Sequence, residues 1–452
     1  MNSENEPPYR IIDLFAGCGG FTQGFYEFSK ANTENGIHAF APVAGVEIDP
    51  AAALTYFTNF EKWADETTGP EHHFFLGDIA DWVGIVESTG LKADVILGGP
   101  PCQGFSGLGK GDPDDPRNQL WEEYFKIVRL VEPRIFIIEN VDRFNSSTQI
   151  DKLKNNFQDI GYTLEEPQVL NAANYGAAQL RKRTIVIGVR GRKHIDYPAP
   201  SHSADGEQRS DDGIFDAADI DNRKLRKWVT LGECLRKKED PIPDNVLSVD
   251  LPALNDENTP TVSVSRQVTE TGVLDKEFQA RLHERIPGPF RSDALHIGRK
   301  PTDLSLARYR AIAPGENRRA LRNASPAWVR DEPPAFPKGK WVPLSTESWD
   351  RHNNGSGDVM GRLEWHKPSV TIRTEFFKPE KGRYLHPVAD RPLTHYEASR
   401  IQGFPKNFRW CGSKTQIARQ IGNAVPVQLA RALAERVFEA LRGGAGLEQP
   451  QA

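Results

Sequence analysis

Arg10-Ile11-Ile12-Asp13-Leu14-Phe15 is a short apolar run that ends in a glycine turn, Gly17-Cys18-Gly19-Gly20, before helical spacing begins at about Phe21. A strand that stops in a tight glycine turn at a helix N-terminus brings backbone N–H groups close to a ligand. Further apolar runs at residues 40–46, 73–76, 94–97, 134–138 and 184–189 repeat the strand signal. Each is compact and bounded by Gly, Pro, Asp or Asn, with helix-length material between most of them. The pattern predicts an α/β chain with a doubly wound parallel sheet covered by helices on both faces. Ligands of such sheets bind beyond the carboxyl ends of the strands, so the residues just after each run are the ones to examine.

Working outward, the texture changes over residues 195–365, where Pro, Gly, Asp and Arg rise and apolar periodicity weakens. This reads as a second, less regular domain with flexible parts near residues 201–219. Regularity returns when Val427, Ala430, Leu433, Ala434, Val437, Phe438 and Leu441 fall on one helix face between Pro426 and Gly443-Gly444. The chain is therefore expected to divide into a first domain (1–194), an insert (195–413) and a C-terminal segment (414–452) that returns to the first. Four cysteines in 452 residues do not make a disulfide scaffold, and no CxxC pair offers a zinc site, so no metal is expected. The N-terminus does not read as a signal peptide and no apolar run approaches a membrane span, so an intracellular, cytoplasmic protein with no membrane partner is expected. Net charge is only −5, but it is segregated. Residues 279–340 hold 13 Lys+Arg against 6 Asp+Glu, whereas residues 205–221 hold seven carboxylates against one Arg. A local basic excess bears on partners more than the total does.

The glycine turn departs from the dinucleotide fingerprint, because Thr22 stands where the third glycine would be. Glu47 and Asp49 after the second run, and Asp78 after the third, are each able to cap a helix; in succession at strand ends they suggest a nucleoside ligand. The sharpest segment is Gly98-Gly99-Pro100-Pro101-Cys102-Gln103-Gly104-Phe105-Ser106. Two prolines fix the backbone ahead of a presented cysteine, whose thiolate would be the reactive form. Glu139-Asn140-Val141 closes the fifth run, and a carboxylate there suits proton donation to a ring nitrogen, although a helix-cap role is open. In Gln179-Leu180-Arg181-Lys182-Arg183, alternation puts Gln179, Arg181 and Arg183 on one face, able to meet a phosphate and a base or a thiolate together, or, as a charge run alone, to form a solvated face.

The order of these motifs resembles the cytosine-C5 DNA methyltransferases. The resemblance rests on Asp13 to Gly20, Gly99-Pro100-Pro101-Cys102, Glu139-Asn140-Val141 and Gln179-x-Arg181-x-Arg183. Later come Arg391-Pro392-Leu393-Thr394, Gln402-Gly403-Phe404-Pro405 and Gln420-Ile421-Gly422-Asn423-Ala424-Val425-Pro426. It implies a Rossmann-like methyltransferase sheet using S-adenosylmethionine and releasing S-adenosylhomocysteine, with an inserted target-recognition domain. Phe15, Gly17 and Gly19 would line the cofactor site, Glu47 hold its ribose, Asp78 its adenine, and Asn423 and Val425 close the pocket. Cys102 would be the nucleophile, with Glu139, Arg181 and Arg183 around the target base.

The substrate implied is double-stranded DNA, with the target cytosine flipped out of the stack. Gln103, Ser106 and Arg117 lie in the loop expected to close over it. Arg308, Arg310, Arg318, Arg319 and Arg322 in the basic insert would bind phosphates or bases, or form a solvated surface. A monomer is expected, and a companion restriction endonuclease acting on the same site would fit a modification enzyme. A tRNA-cytosine methyltransferase with the same turn, a silent DNA-binding relative and a nicotinamide oxidoreductase are the competing readings. The long basic insert, the retained Cys102 and Glu139, and the missing third glycine argue against them in that order.

Overall fold

A computed structural model describes residues 7–33, 38–69, 72–101, 120–146, 149–191, 193–206, 225–237, 240–241, 261–263, 284–298, 301–330, 339–351 and 358–443. Cys102, Gln103, Ser106 and Arg117 lie outside the described residues, as do residues 207–219 of the stretch expected to be flexible. Strands β1 (Tyr9–Leu14), β2 (Phe40–Glu47), β3 (His73–Leu76), β4 (Val95–Gly98) and β5 (Ile135–Val141) run parallel in the order β3-β2-β1-β4-β5. Helices α1 (Gly20–Ala31), α2 (Pro50–Thr68), α3 (Ile79–Thr89), α4 (Leu120–Val131) and α5 (Gln149–Asp159) lie between or after them.

The strand centres are apolar because both faces are covered, while Asp13, Glu47 and Glu139 fall toward the carboxyl ends of β1, β2 and β5. Val95 and Leu97 of β4, with Ile135 and Ile137 of β5, join a core shared with α1 and α2. Their alternates Ile96, Phe136 and Ile138 join a second core shared with α3, α4 and α5. That two-residue period assigns each strand residue to one layer or the other.

The parallel reading fails at one strand. Short strands β6 (Tyr162–Leu164), β7 (Gln168–Asn171) and β8 (Gln179–Leu180) precede β9 (Lys182–Arg190), and β9 runs antiparallel to β5, from Ile135 opposite Val189 to Val141 opposite Arg183. Both β6 and β7 then pair antiparallel with β9 on its far side. The cause is chain length. Between Asn171 and Lys182 there is a single 3-10 turn, Ala172–Tyr175, and the two-residue β8, whereas a parallel return needs a crossover of a dozen or more residues.

Helix Val427–Arg442 comes back onto α1. A Cβ on Gly24 would lie 2.4 Å from the Cβ of Ala430, so α1 uses glycine to let the two backbones approach. Phe438 packs its ring 5.4 Å from Phe28 and 5.9 Å from Phe40, contacts that add about 0.5–1.5 kcal/mol per pair beyond burial.

A smaller core gathers Tyr309, Ile312, Leu321, Leu344, Met360 and Leu385 beneath helix Asp303–Arg310 and the ribbon Ala327–Arg330/Gly339–Val342. Among the described residues, little regular structure holds this unit. Arg362 substitutes for it: its buried guanidinium donates to the carbonyls of Ile312, Tyr309, His386 and Ala389 and pairs with Asp390 at 3.0 Å. Five fixed donors suit one side chain to several irregular carbonyls at once.

Candidate active site

The glycine turn is strained where a ligand could approach. Phe15 takes a left-handed φ of 56°, uncommon for a side chain of its size, and Gly17 and Gly19 follow at 56° and 86°. The two glycines do different work. A Cβ at Gly17 would meet nothing within 4 Å, whereas one at Gly19 would lie 2.2 Å from the Phe60 ring. Gly17 leaves space above the turn; Gly19 is required by packing beneath it.

Glu47, at the end of β2, accepts from the Gly17 N–H through Oε2 and from the Asp49 N–H through Oε1, both at 2.8 Å. Burial raises its pKa, and those two N–H groups pull it partly back. One carboxylate thus fixes the turn while keeping acceptor capacity for a ligand. Ile48 beside it stands 51% exposed, an apolar side chain at the same strand edge that polar-residue patterns could not flag. Asp49 and Asp78 are helix caps: Asp49 accepts from the Ala51 and Ala52 N–H groups, Asp78 from that of Ala80. Thr22, in the third-glycine position, donates its hydroxyl to Asp13 at 2.6 Å and meets the Tyr56 hydroxyl at 3.0 Å. Burial pushes Asp13 up to about 7 despite the bond from Thr22.

A second group forms at the ends of β4 and β5. Asn140 donates its side-chain amide to the Pro100 carbonyl at 2.9 Å, which anchors the Gly99-Pro100-Pro101 turn two residues before Cys102. A Cβ on Gly99 would stand 3.2 Å from Glu139 Oε2, so turn and carboxylate are close neighbours. Glu139 belongs to β5 rather than to a helix cap, is 9% exposed, and meets Arg183 Nε at 2.7 Å on its other oxygen. The surroundings of that acid therefore include a guanidinium. The clamp from Asn140 went unnoticed in the sequence, though its signal was an amide adjoining a candidate acid.

Arg181 departs from expectation. Alternation does turn Gln179 and Arg181 to one side, but that side is the interior. Arg181 is 1% exposed and donates to the Ile372 carbonyl at 2.9 Å and to the Asn423 carbonyl at 3.4 Å. Burial, with Arg183 nearby, lowers its pKa well below the usual guanidinium value. Its two terminal nitrogens thus brace protein segments, one of them the chain just after Ser369–Val370, which pairs with β8, while its Nε is buried with no hydrogen-bond partner among the described residues. The side chain of Asn423 is exposed, while Val425 is buried with its carbonyl 2.5 Å from where a Cβ on Gly20 would be.

The insert arginines are similarly divided. Arg308 donates to the Leu344 carbonyl at 2.9 Å and stacks 4.6 Å from the Trp349 ring centre. Arg310 meets Asp390 and Arg322 meets Asp350, each at 3.3 Å. Arg318 is half-buried and Arg319 exposed. Among the described residues no group of three or more His, Cys, Asp or Glu could hold a metal ion, and no helix is long and apolar enough to cross a membrane.

The profile of the C-5 cytosine-specific DNA methylase family matches residues 9–439. The type II methyltransferase M.XorII of Xanthomonas oryzae pv. oryzae is 30% identical over 95% of this chain and 85% of its own. The type II methyltransferase M1.HphI of Haemophilus parahaemolyticus is 28% identical over 95% and 86%. In fold, the chain is similar to an E. coli prophage-encoded protein described as a DNA modification methyltransferase, with a TM-score of 0.58 at 22% identity, covering 96% of this chain and 99% of the other.

Proposed function

Since the chain belongs to the C-5 cytosine-specific DNA methylase family, and is thus a DNA (cytosine-5)-methyltransferase, we propose that it modifies a cytosine flipped out of a specific duplex sequence, through a transient bond from Cys102 to C6. The cofactor of family and fold, S-adenosylmethionine, suits the residues at the glycine turn. It carries a nucleoside and no pyrophosphate, which matches open space over Gly17, acceptor capacity on Glu47, an apolar Ile48 and a third-glycine position given to Thr22. Bound there, it supplies an electrophilic methyl group to the activated C5.

The rest falls to the chain's own residues. Cytosine C5 is a poor nucleophile while the ring is aromatic. Addition of the Cys102 thiolate to C6 breaks that aromaticity and makes C5 enamine-like. Glu139, protonating or hydrogen-bonding N3, offsets the charge that develops on the ring. Arg183 keeps the Glu139 carboxylate in place through its 2.7 Å ion pair. Loss of the C5 proton with expulsion of the Cys102 thiolate then restores the ring. None of this fits inside a stacked duplex, and extruding the base costs a few kcal/mol.

The observation that carries the reading is the Asn140 clamp on Pro100, which holds the turn before Cys102 next to Glu139. Residues 195–413 serve as the target-recognition domain and hinge in this proposal, with Arg319 among its phosphate contacts. The type II names of the relatives favour a modification enzyme with a companion endonuclease. The test is purified protein with S-adenosylmethionine and duplex DNA carrying 5-fluorocytosine. A covalent complex mapping to the Cys102 peptide is expected, and Cys102→Ala should show neither the complex nor methyl transfer to ordinary DNA. Full activity in that variant, or no crosslink in the parent protein, rejects the mechanism.

A further inference from the structure

The motif Gln402-Gly403-Phe404-Pro405 has no role in the chemistry above, yet Gln402 is completely buried between the two halves of the site. Its Oε1 accepts from Gln179 Nε2 at 2.5 Å, and its own Nε2 donates to the Ile421 carbonyl at 2.5 Å and the Ala424 carbonyl at 3.5 Å. Gln179, equally buried, donates also to the Ile401 carbonyl and accepts from the Ile372 N–H. Every amide atom of the pair has a partner. A fully satisfied polar network in a low-dielectric interior holds one geometry and penalises others.

The ends of this network matter. On one side lies the strand segment that leads from Gln179 through Arg181 to Arg183, the partner of Glu139. On the other lies the stretch from Ile421 to Val425, whose last carbonyl abuts Gly20 at the start of α1. The first side faces the base chemistry and the second packs under the glycine turn. From this juxtaposition we infer that Gln402 is a positioning residue for methyl transfer: by gripping Gln179 with one end of its amide and Ile421 with the other, it sets the spacing between the base-side strand and the cofactor-side helix end. The inference rests on the Cys102 mechanism proposed above.

Thiol addition to C6 needs only the base-side groups, so release of tritium from DNA carrying [5-3H]cytosine, without cofactor, reports that side alone. Methyl transfer needs both sides in register, and a misplacement near 1 Å costs up to about 100-fold. Gln402→Leu removes both hydrogen-bonding functions at similar volume. Its kcat for methyl transfer is expected to fall roughly 10- to 100-fold, while both KM values and cofactor-free tritium release stay within about threefold of the parent. Equal loss of both activities, or loss of neither, overturns the inference. Should Gln402→Leu not fold, Gln402→Glu, which keeps the acceptor for Gln179 but forfeits the donor to Ile421 when ionised, is read by the same criterion. Absence of tritium release from the parent protein would instead count against the Cys102 mechanism.

Discussion

Asp13 in β1 and Glu397 in the short helix His395–Ile401 are both shut away from water, and their acidities move in opposite directions. Asp13 has hydroxyl company, Thr22 at 2.6 Å, and burial carries it up to about 7. For Glu397 burial acts the same way, but Arg391 contacts both carboxylate oxygens at 2.8 and 2.9 Å, and with His386 it brings the group down to about 2. Burial sets the scale of a shift and the partner sets its sign. Strand β1, inside the sheet, thus stores an acid ready to be neutral, while the C-terminal region stores a fixed charge that also completes the capping box with Thr394.

Removing the fixed charge has the largest expected consequence. Glu397→Ala leaves Arg391 buried without its carboxylate and strips the Thr394 N–H of its acceptor, so unfolding stability should drop by about 3–5 kcal/mol. Urea titration measures this directly. A loss below about 1 kcal/mol would mean that the cation is not what separates the two acids.

Dependence on pH separates them next. Glu397 ionises more easily folded than unfolded, so its contribution is present above its ordinary 4.5 and is lost as pH falls toward 2. His386 and His395, held down at about 4 and about 3 by burial, likewise lose theirs as pH falls below 6.5. Asp13 runs the other way: its native pKa is raised, so its contribution is complete below 3.8 and disappears as pH rises to about 7. Asp13→Asn should therefore cost less stability at pH 8 than at pH 5, by on the order of 2–3 kcal/mol. Melting temperatures of parent and variant at the two pH values check it, and a gap that does not change with pH would remove Asp13 from the comparison.

How much of this was readable in the sequence follows the same division. Strands β1 to β5 announce themselves because a strand covered on both faces is apolar along most of its length, and the glycine turn because its φ values demand it. Composition carries no direction, so β9 looked like one more parallel strand. Half-exposed β6 and β7, broken by Glu165-Glu166-Pro167, gave no signal at all. Arg181 and Arg183 occupy equivalent positions in the alternation. What distinguishes them is Ser369–Val370, laid over β8 from some 190 residues away, and no local pattern encodes that contact. Glu397 was within reach, since Thr394 followed three residues later by Glu is a capping signature; its partnership with Arg391 was not.

The smallest effect tests whether the contrast extends into the insert, where arginines replace carboxylates as the charged element. Arg308 is spent on the protein: it stacks on Trp349 and holds the Leu344 carbonyl, so Arg308→Ala should lower stability by about 1 kcal/mol. Arg319 is exposed at the 3-10 turn Arg318–Asn323, where its backbone N–H donates to the Asn317 side chain. Arg319→Ala should leave the melting curve within about 0.5 kcal/mol of the parent. If it meets a phosphate, the slope of log DNA affinity against log salt should shrink by about one, equally for cognate and unrelated duplexes. A sequence-dependent loss would instead place Arg319 against a base edge, and no change in slope would take it off the DNA surface and leave the insert's arginines as structural as Arg362.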